Sequence, residues 1–178
     1  MIDFFGVDIK IATLSVVTVV NIILGTLLYL RHKDKSSTYF VLSIASVASW
    51  SFGIMLYTTA SKVTYLTYLW SDLNYTSSAI IAVSFFFFAA YFGSEYAKVH
   101  ALFKLFTAVF LVVVIVFIQI PIPELSVIES LTIEDGNKVE NFGLGYFFYL
   151  TLLVGYLVGG ITILLIKLFK GAGAVRDQ

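Results

Sequence analysis

The sequence predicts an all-α membrane protein. It reads as a five-transmembrane-helix bundle, N-terminus outside and C-terminus cytoplasmic, with a short β-hairpin in the outer loop between helices 4 and 5. Three observations predict it. The chain of 178 residues is 60% hydrophobic and only 12% charged, against about 25% charged in soluble domains. Its charges are gathered into short segments, leaving uncharged runs at Ile11–Leu30, Ser36–Ser61, Leu73–Ser94, Leu105–Pro123 and Asn141–Ile166. Each is close to or longer than the roughly 20 residues a helix needs to cross the hydrocarbon core. Finally, Lys and Arg fall mostly on alternate connections, as the positive-inside rule requires.

Taken in order, the runs place helices at about 9–30, 38–60, 69–92, 102–120 and 142–167, with an outer loop at 121–141, all within one membrane domain spanning 1–178. The first run is no cleaved signal peptide: it is too long, lacks a small-x-small cleavage site, and has its positive charges after it. Barrel strands would alternate in polarity over about 10 residues, and no run does so. The chain has no cysteine, which excludes disulfides, thiolate metal sites and covalent haem attachment.

The connection after the first helix carries Arg31, Lys33 and Lys35, that between helices 3 and 4 carries Lys98 and Lys104, and the tail carries Lys167, Lys170 and Arg176. These hold eight of the eleven Lys and Arg; Lys10, Lys62 and Lys138 lie on the other side. The larger outer connection reads PIPELSVIESLTIEDGNKVENFG. Ser126–Ile133 is rich in β-branched and apolar residues, Asp135-Gly136 supplies hairpin-turn chemistry, and Lys138–Asn141 would return. A loop without strands is the alternative, since isolated hairpins are marginal.

Helices in lipid associate by close packing and hydrogen bonds, so small and polar residues mark packed faces. Ser15, Thr18, Asn21 and Gly25 share a face of helix 1; Ala45, Ser49 and Gly53 recur every four residues in helix 2; helix 5 has Gly155 and Gly159 followed by Gly160. Asn21, Gly53, Gly155 and Gly159 are the expected packing positions. Ordinary bundle contacts account for them; homodimerisation through Gly155 and Gly159 is the sharper alternative.

Helix 3 opens LWSDLNYTSSA, and a carboxylate within a span usually faces a cavity or a partner. Trp50, Tyr57, Trp70, Asp72 and Asn74 are the candidate ligand-binding residues, lining a polar pocket open to the outside, with Glu134 and Asp135 at its rim. Two alternatives stand beside this reading. Asp72 sits wet at the headgroups with Trp70 in the aromatic belt, or it pairs with Lys62 or Lys10.

Other motifs carry less. Asn74-Tyr75-Thr76 fits a glycosylation acceptor but falls within a span. Phe85–Phe88 reads as lipid-facing or packing bulk. His32 and His100 stand in separate connections with no second metal ligand at helical spacing. No nucleophile–base pair or intramembrane carboxylate pair is visible. The expectation is therefore no enzyme, no cofactor, no metal and no nucleic acid. The expected partners are the bilayer, a second copy or another membrane subunit, and an unknown small ligand.

The layout has a likeness. YLRHKDKSS leads into SIASVASWSFGIML, a second span with tryptophan at its middle. YLWSDLNYTSSAIIAVSFFFFAAYFG, NFGLGYFFYLTLLVGY and the tail FKGAGAVRDQ follow. This resembles the N-terminal seven-helix membrane region of bacterial sensor histidine kinases and related signalling proteins. The resemblance covers the whole chain and implies a sensor of the bacterial inner membrane, of which these are the first five helices. No kinase or cyclase module is present in this sequence. It implies a sensory input module that takes an extracytoplasmic or membrane cue. The competing readings are a small non-catalytic subunit or scaffold, and a transporter half. No convincing internal repeat or broken helix supports the last.

Overall fold

The computed structural model describes residues 9–31, 34–93, 99, 101–120, 122–134 and 137–176. Among them are five helices long and apolar enough to cross a membrane, with a two-stranded antiparallel sheet between the last two. The helices are α1 (Ile9–Arg31), α2 (Lys35–Thr59), α3 (Tyr65–Tyr91), α4 (Ala101–Gln119) and α5 (Gly145–Arg176); the strands are β1 (Ile128–Glu134) and β2 (Asn137–Phe142).

The boundaries have local causes. α2 starts at Lys35 rather than 38 because Asp34 caps it, accepting from the Ser37 amide at 3.1 Å and the Ser37 hydroxyl at 2.5 Å. This satisfies one of the amides a helix start leaves without a partner. α3 starts at Tyr65 rather than 69: Thr67 Oγ1 accepts from the Thr64 amide at 3.1 Å and donates to the Lys62 carbonyl at 2.8 Å, closing the first turn. It ends where Gly93 takes φ +67°, the left-handed conformation that glycine adopts most cheaply. α5 continues to Arg176 instead of ending near 167.

The sheet is the expected hairpin, slightly displaced. β1 runs Ile128–Glu134, not Ser126–Ile133, and β2 extends to Phe142 because Asn141 and Phe142 still pair, with Ser130 and Ile128. The register slips between Ile128 and Ser130, a local bulge of the kind that bends a strand. The Asp135-Gly136 turn, His32, His100 and Pro121 lie outside the described residues, as does the side chain of Glu134.

α5 begins at Gly145, not 142, because the chain first crosses back over a single helical turn at Pro123–Leu125. A Cβ on Gly143 would lie 2.6 Å from the Ser126 carbonyl oxygen, and one on Gly145 would lie 2.7 Å from that of Leu125. Both distances are below van der Waals contact, so the two glycines of NFGLG are there for space.

α3 is the hub. It packs extensively on α2 and α5 and touches α4, whereas α1 packs on α2. Hydroxyl bonds lace these seams: Ser43 with Ser84 at 2.7 Å, Ser77 with Ser49 at 3.1 Å, Ser78 with Tyr149 at 2.7 Å, and Tyr156 to Thr107 at 2.8 Å. Such bonds in membranes average about 0.6 kcal/mol each. Phe85–Phe88 is largely packing bulk. Phe87 is buried, and rings 85 and 86 lie against Gly160 and Gly159 of α5.

The small-residue faces divide. Gly53 is pressed against Asn74 of α3, so a Cβ there would collide with Asn74 Oδ1. A Cβ on Gly159 would lie 3.1 Å from the Phe86 ring, but Gly155 has nothing within 4 Å of where a Cβ would sit. Asn21 donates back to the Val17 carbonyl at 2.8 Å and lines a groove of about 660 Å³ between α1 and α2, shared with Gly25, Ala45 and Ser49.

Candidate ligand-binding site

α2 and α5 both pack on α3, and residues of all three line a cavity of about 670 Å³ that Glu140 of the hairpin also lines. Helical spacing places the lining. Val47, Trp50, Ile54 and Tyr57 stand on one face of α2; Ser71, Asn74, Tyr75 and Ser78 face them from α3; Tyr149, Leu153 and Leu157 close the third side from α5. Steps of three and four residues keep each set on one face. Between Ser71 and Ser78 the helix rises about 10 Å, so the lining grades from a polar end under the hairpin to an apolar end.

The hairpin supplies the charge. Lys138 and Glu140 are two apart on β2 and so project from the same face. Glu140 is opposite the buried Leu131. Its Oε1 accepts from the Ser71 hydroxyl at 2.7 Å and its Oε2 from the Tyr75 hydroxyl at 2.5 Å. Lys138 donates to the Tyr57 carbonyl, and its ammonium lies 4.6 Å from the centre of the Tyr57 ring. That carbonyl belongs to the last turn of α2, where no helical amide remains to pair with it. Burial holds the Lys138 ammonium below its ordinary pKa of 10.5. One strand thus grips two helices, α2 through its lysine and α3 through its glutamate. The Leu131 amide adds a third tie, donating to the Tyr68 hydroxyl at 3.0 Å.

Of the five residues the sequence nominates for ligand binding, Trp50, Tyr57 and Asn74 line this cavity; Trp70 and Asp72 do not. Trp50 remains 38% exposed, so the cavity opens laterally beside it. Asn74 Oδ1 is buried without a hydrogen-bond partner among the described residues. Asp72 is half-buried on α3, outside the cavity lining.

The residues that sequence reasoning missed are Glu140, Lys138, Ser71, Tyr75 and Tyr149. The signal for the first two was the alternation Lys-Val-Glu on a strand next to a span. It reads as a solvated face, yet here the charges point inward and Val139 points away. The signal for Tyr75 was already in LNYTSSA, one turn beyond Asp72.

At the opposite end of the bundle a lysine of α5 reaches α3. Lys167 Nζ donates to the carbonyls of Ala89, Ala90 and Phe92 at 2.9, 2.8 and 2.7 Å. These are the carbonyls that the end of α3 leaves open, and a cation is favoured there. The ammoniums of Lys35 and Lys104 lie 5.9 and 5.6 Å from the centre of the neighbouring Tyr91 ring.

The family model described as the N-terminal 7TM region of histidine kinase matches residues 13–178, and the chain belongs to that family. With its five membrane-capable helices it is a multi-pass membrane protein and, in general terms, a membrane sensory input module. No curated protein and no solved structure matches it.

Proposed function

We propose that this member of the histidine-kinase 7TM family receives an extracytoplasmic cue in the cavity under the hairpin and relays it along α3 and α5 to the cytoplasmic side of a bacterial inner membrane. The observation that carries the reading is the grip of β2 on two helices across a cavity, Lys138 on α2 and Glu140 on α3. A ligand that enters between those helices competes with the grip, so it has differential affinity for two arrangements of the bundle. Trp50, Tyr57 and Asn74 contact it from the walls, Glu140 and Tyr75 from the head of the cavity. Asp72 and Trp70 stand beside the site on the same helix, α3, and act on it through that helix. α5 is the output element, because Lys167 binds it to the end of α3.

The reading requires the N-terminus and the hairpin outside and the Lys35, Lys104 and Lys167 end in the cytoplasm, as the charge distribution predicts. The chain has no cysteine, so single labels report cleanly. A membrane-impermeant thiol reagent on intact cells will modify Glu129→Cys on the hairpin and spare Lys104→Cys until lysis. The reverse pattern overturns the reading.

Gly155 favours a role for a membrane partner. It is exposed and has nothing within 4 Å on α5's open side. A second copy or another membrane subunit packs there in this reading. Gly155→Cys then cross-links in native membranes, and an isolated, uncross-linked chain counts against it.

A further inference from the structure

We infer that the cavity under the hairpin selects an amphipathic cation: an ammonium or guanidinium head held at Glu140 with an apolar tail running between α2 and α5. The inference rests on the input-site reading and names the chemistry of its ligand.

The head end is built for positive charge. Glu140 accepts hydroxyl hydrogen bonds from Ser71 and Tyr75, one on each oxygen, and the Tyr57 hydroxyl also faces it. A carboxylate has about four acceptor sites, which leaves room for a ligand cation. No cation pairs with this carboxylate among the described residues. Lys138, two residues away on the same face, is engaged by the Tyr57 carbonyl and ring instead. Aromatic walls at Trp50, Tyr75 and Tyr149 offer rings to a cation, which binds them best when partly desolvated. An anionic head would meet the repulsion of Glu140. An uncharged head would leave a half-buried carboxylate without a counter-charge, which a low-dielectric site penalises.

The other end is built for a tail. Val47, Ile54, Ile81, Leu153 and Leu157 line it. The volume of about 670 Å³ lies in the range of small-molecule pockets. The cavity opens beside the exposed Trp50, so an amphiphile dissolved in the outer leaflet has a lateral route in. Head and tail are thus arranged as they lie in a leaflet, polar under the hairpin and apolar towards the bilayer centre.

The test uses the full chain in phosphatidylcholine nanodiscs, with Trp70→Phe so that Trp50 is the reporter. Decyltrimethylammonium, decyl maltoside and decyl sulfate share a tail and differ in head. The cation is expected to give a saturable change in Trp50 emission at concentrations at least tenfold below those of the other two. Glu140→Gln should remove on the order of tenfold of that affinity, while Glu140→Asp retains the preference for the cation. If all three amphiphiles saturate alike, the selectivity for a cation is wrong and the cavity remains an input site for tails. If none saturates, both the inference and the input-site reading fall. The three-headgroup comparison with Glu140 in place decides between these even if the glutamine variant does not fold.

Discussion

Removing the Glu140 carboxylate should loosen the hairpin from α3, and a double-mutant cycle with Tyr75 measures by how much. The Tyr75 hydroxyl donates to Glu140 Oε2 at 2.5 Å and the Ser71 hydroxyl to Oε1 at 2.7 Å. A hydrogen bond to a charged group contributes about 1.5–3 kcal/mol, and a buried partner left unmatched carries a further desolvation cost of its own. Ser71 is 1% exposed and is the one that suffers. Glu140 itself is half-buried, so solvent takes over part of its lost bonding and the lower end of the range applies. We expect Tyr75→Phe to cost about 1–2 kcal/mol, Glu140→Ala about 2–3 kcal/mol, and the pair to show about 1–2 kcal/mol of coupling. Equilibrium unfolding by dodecyl sulfate titration in mixed micelles gives the free energies. Hydrogen exchange at the Leu131 amide, bonded to the Tyr68 hydroxyl, reports the hairpin locally. Coupling below about 0.5 kcal/mol, the level of an exposed ion pair, would refute the claim that the carboxylate holds the hairpin down.

Four further perturbations have definite signs. Gly53→Val forces a side chain into Asn74 at the α2–α3 seam and should cost about 1–3 kcal/mol, whereas Gly155→Ala, which meets nothing within 4 Å in its own chain, should stabilise the chain separated from any partner by up to about 1 kcal/mol in the same titration. Lys167→Met strips the cation from three carbonyls at the end of α3; a loss of about 1–2 kcal/mol is expected, with faster exchange in the last turn of α3 and partial rescue by Lys167→Arg. The Asp34 carboxyl is held below its ordinary pKa of 3.8, chiefly by the hydrogen bond from the Ser37 side chain. A depressed folded pKa means the cap is fully present above the unfolded value and is lost as pH falls through the folded one. Protection of the first turn of α2 should therefore be flat from pH 8 to about 5 and decline only below 3.8; a decline beginning at pH 6 contradicts the assignment.

The spans were legible because a bilayer imposes one rule on every residue, and uncharged runs such as Leu105–Pro123 obey it irrespective of neighbours. The hairpin was legible from β-branched residues and Asp135-Gly136 chemistry. Helix starts were less so. The Thr64–Thr67 closure that begins α3 at Tyr65 is a weak local signal beside the hydropathy of the run. The cavity was half legible. Trp50, Tyr57 and Asn74 stood out as polar or aromatic groups within spans, but Glu140 looked like one acid among several in an outer loop. Which face of β2 turns inward depends on what the helices offer it. Only the tertiary arrangement brings Ser71, Tyr75 and the open carbonyl of Tyr57 beneath the strand. The length of α5 was equally hidden, since its basic tail reads as a stop while Lys167 in fact caps a neighbouring helix.

The central claim is that the hairpin end and the Lys167 end of the bundle are coupled. The cysteine-free chain allows spin labels at Thr38→Cys and Leu168→Cys, exposed positions near the Lys167 end of α2 and α5. Their distance distribution in nanodiscs should be compared with and without Glu140→Ala. The account predicts that releasing the hairpin shifts that distribution by about 1–2 Å or splits it into two populations, the scale of helix movements in switching proteins. An unchanged distribution, in a variant whose Leu131 amide exchanges faster, would contradict it: the hairpin would have let go and the far end would not have noticed.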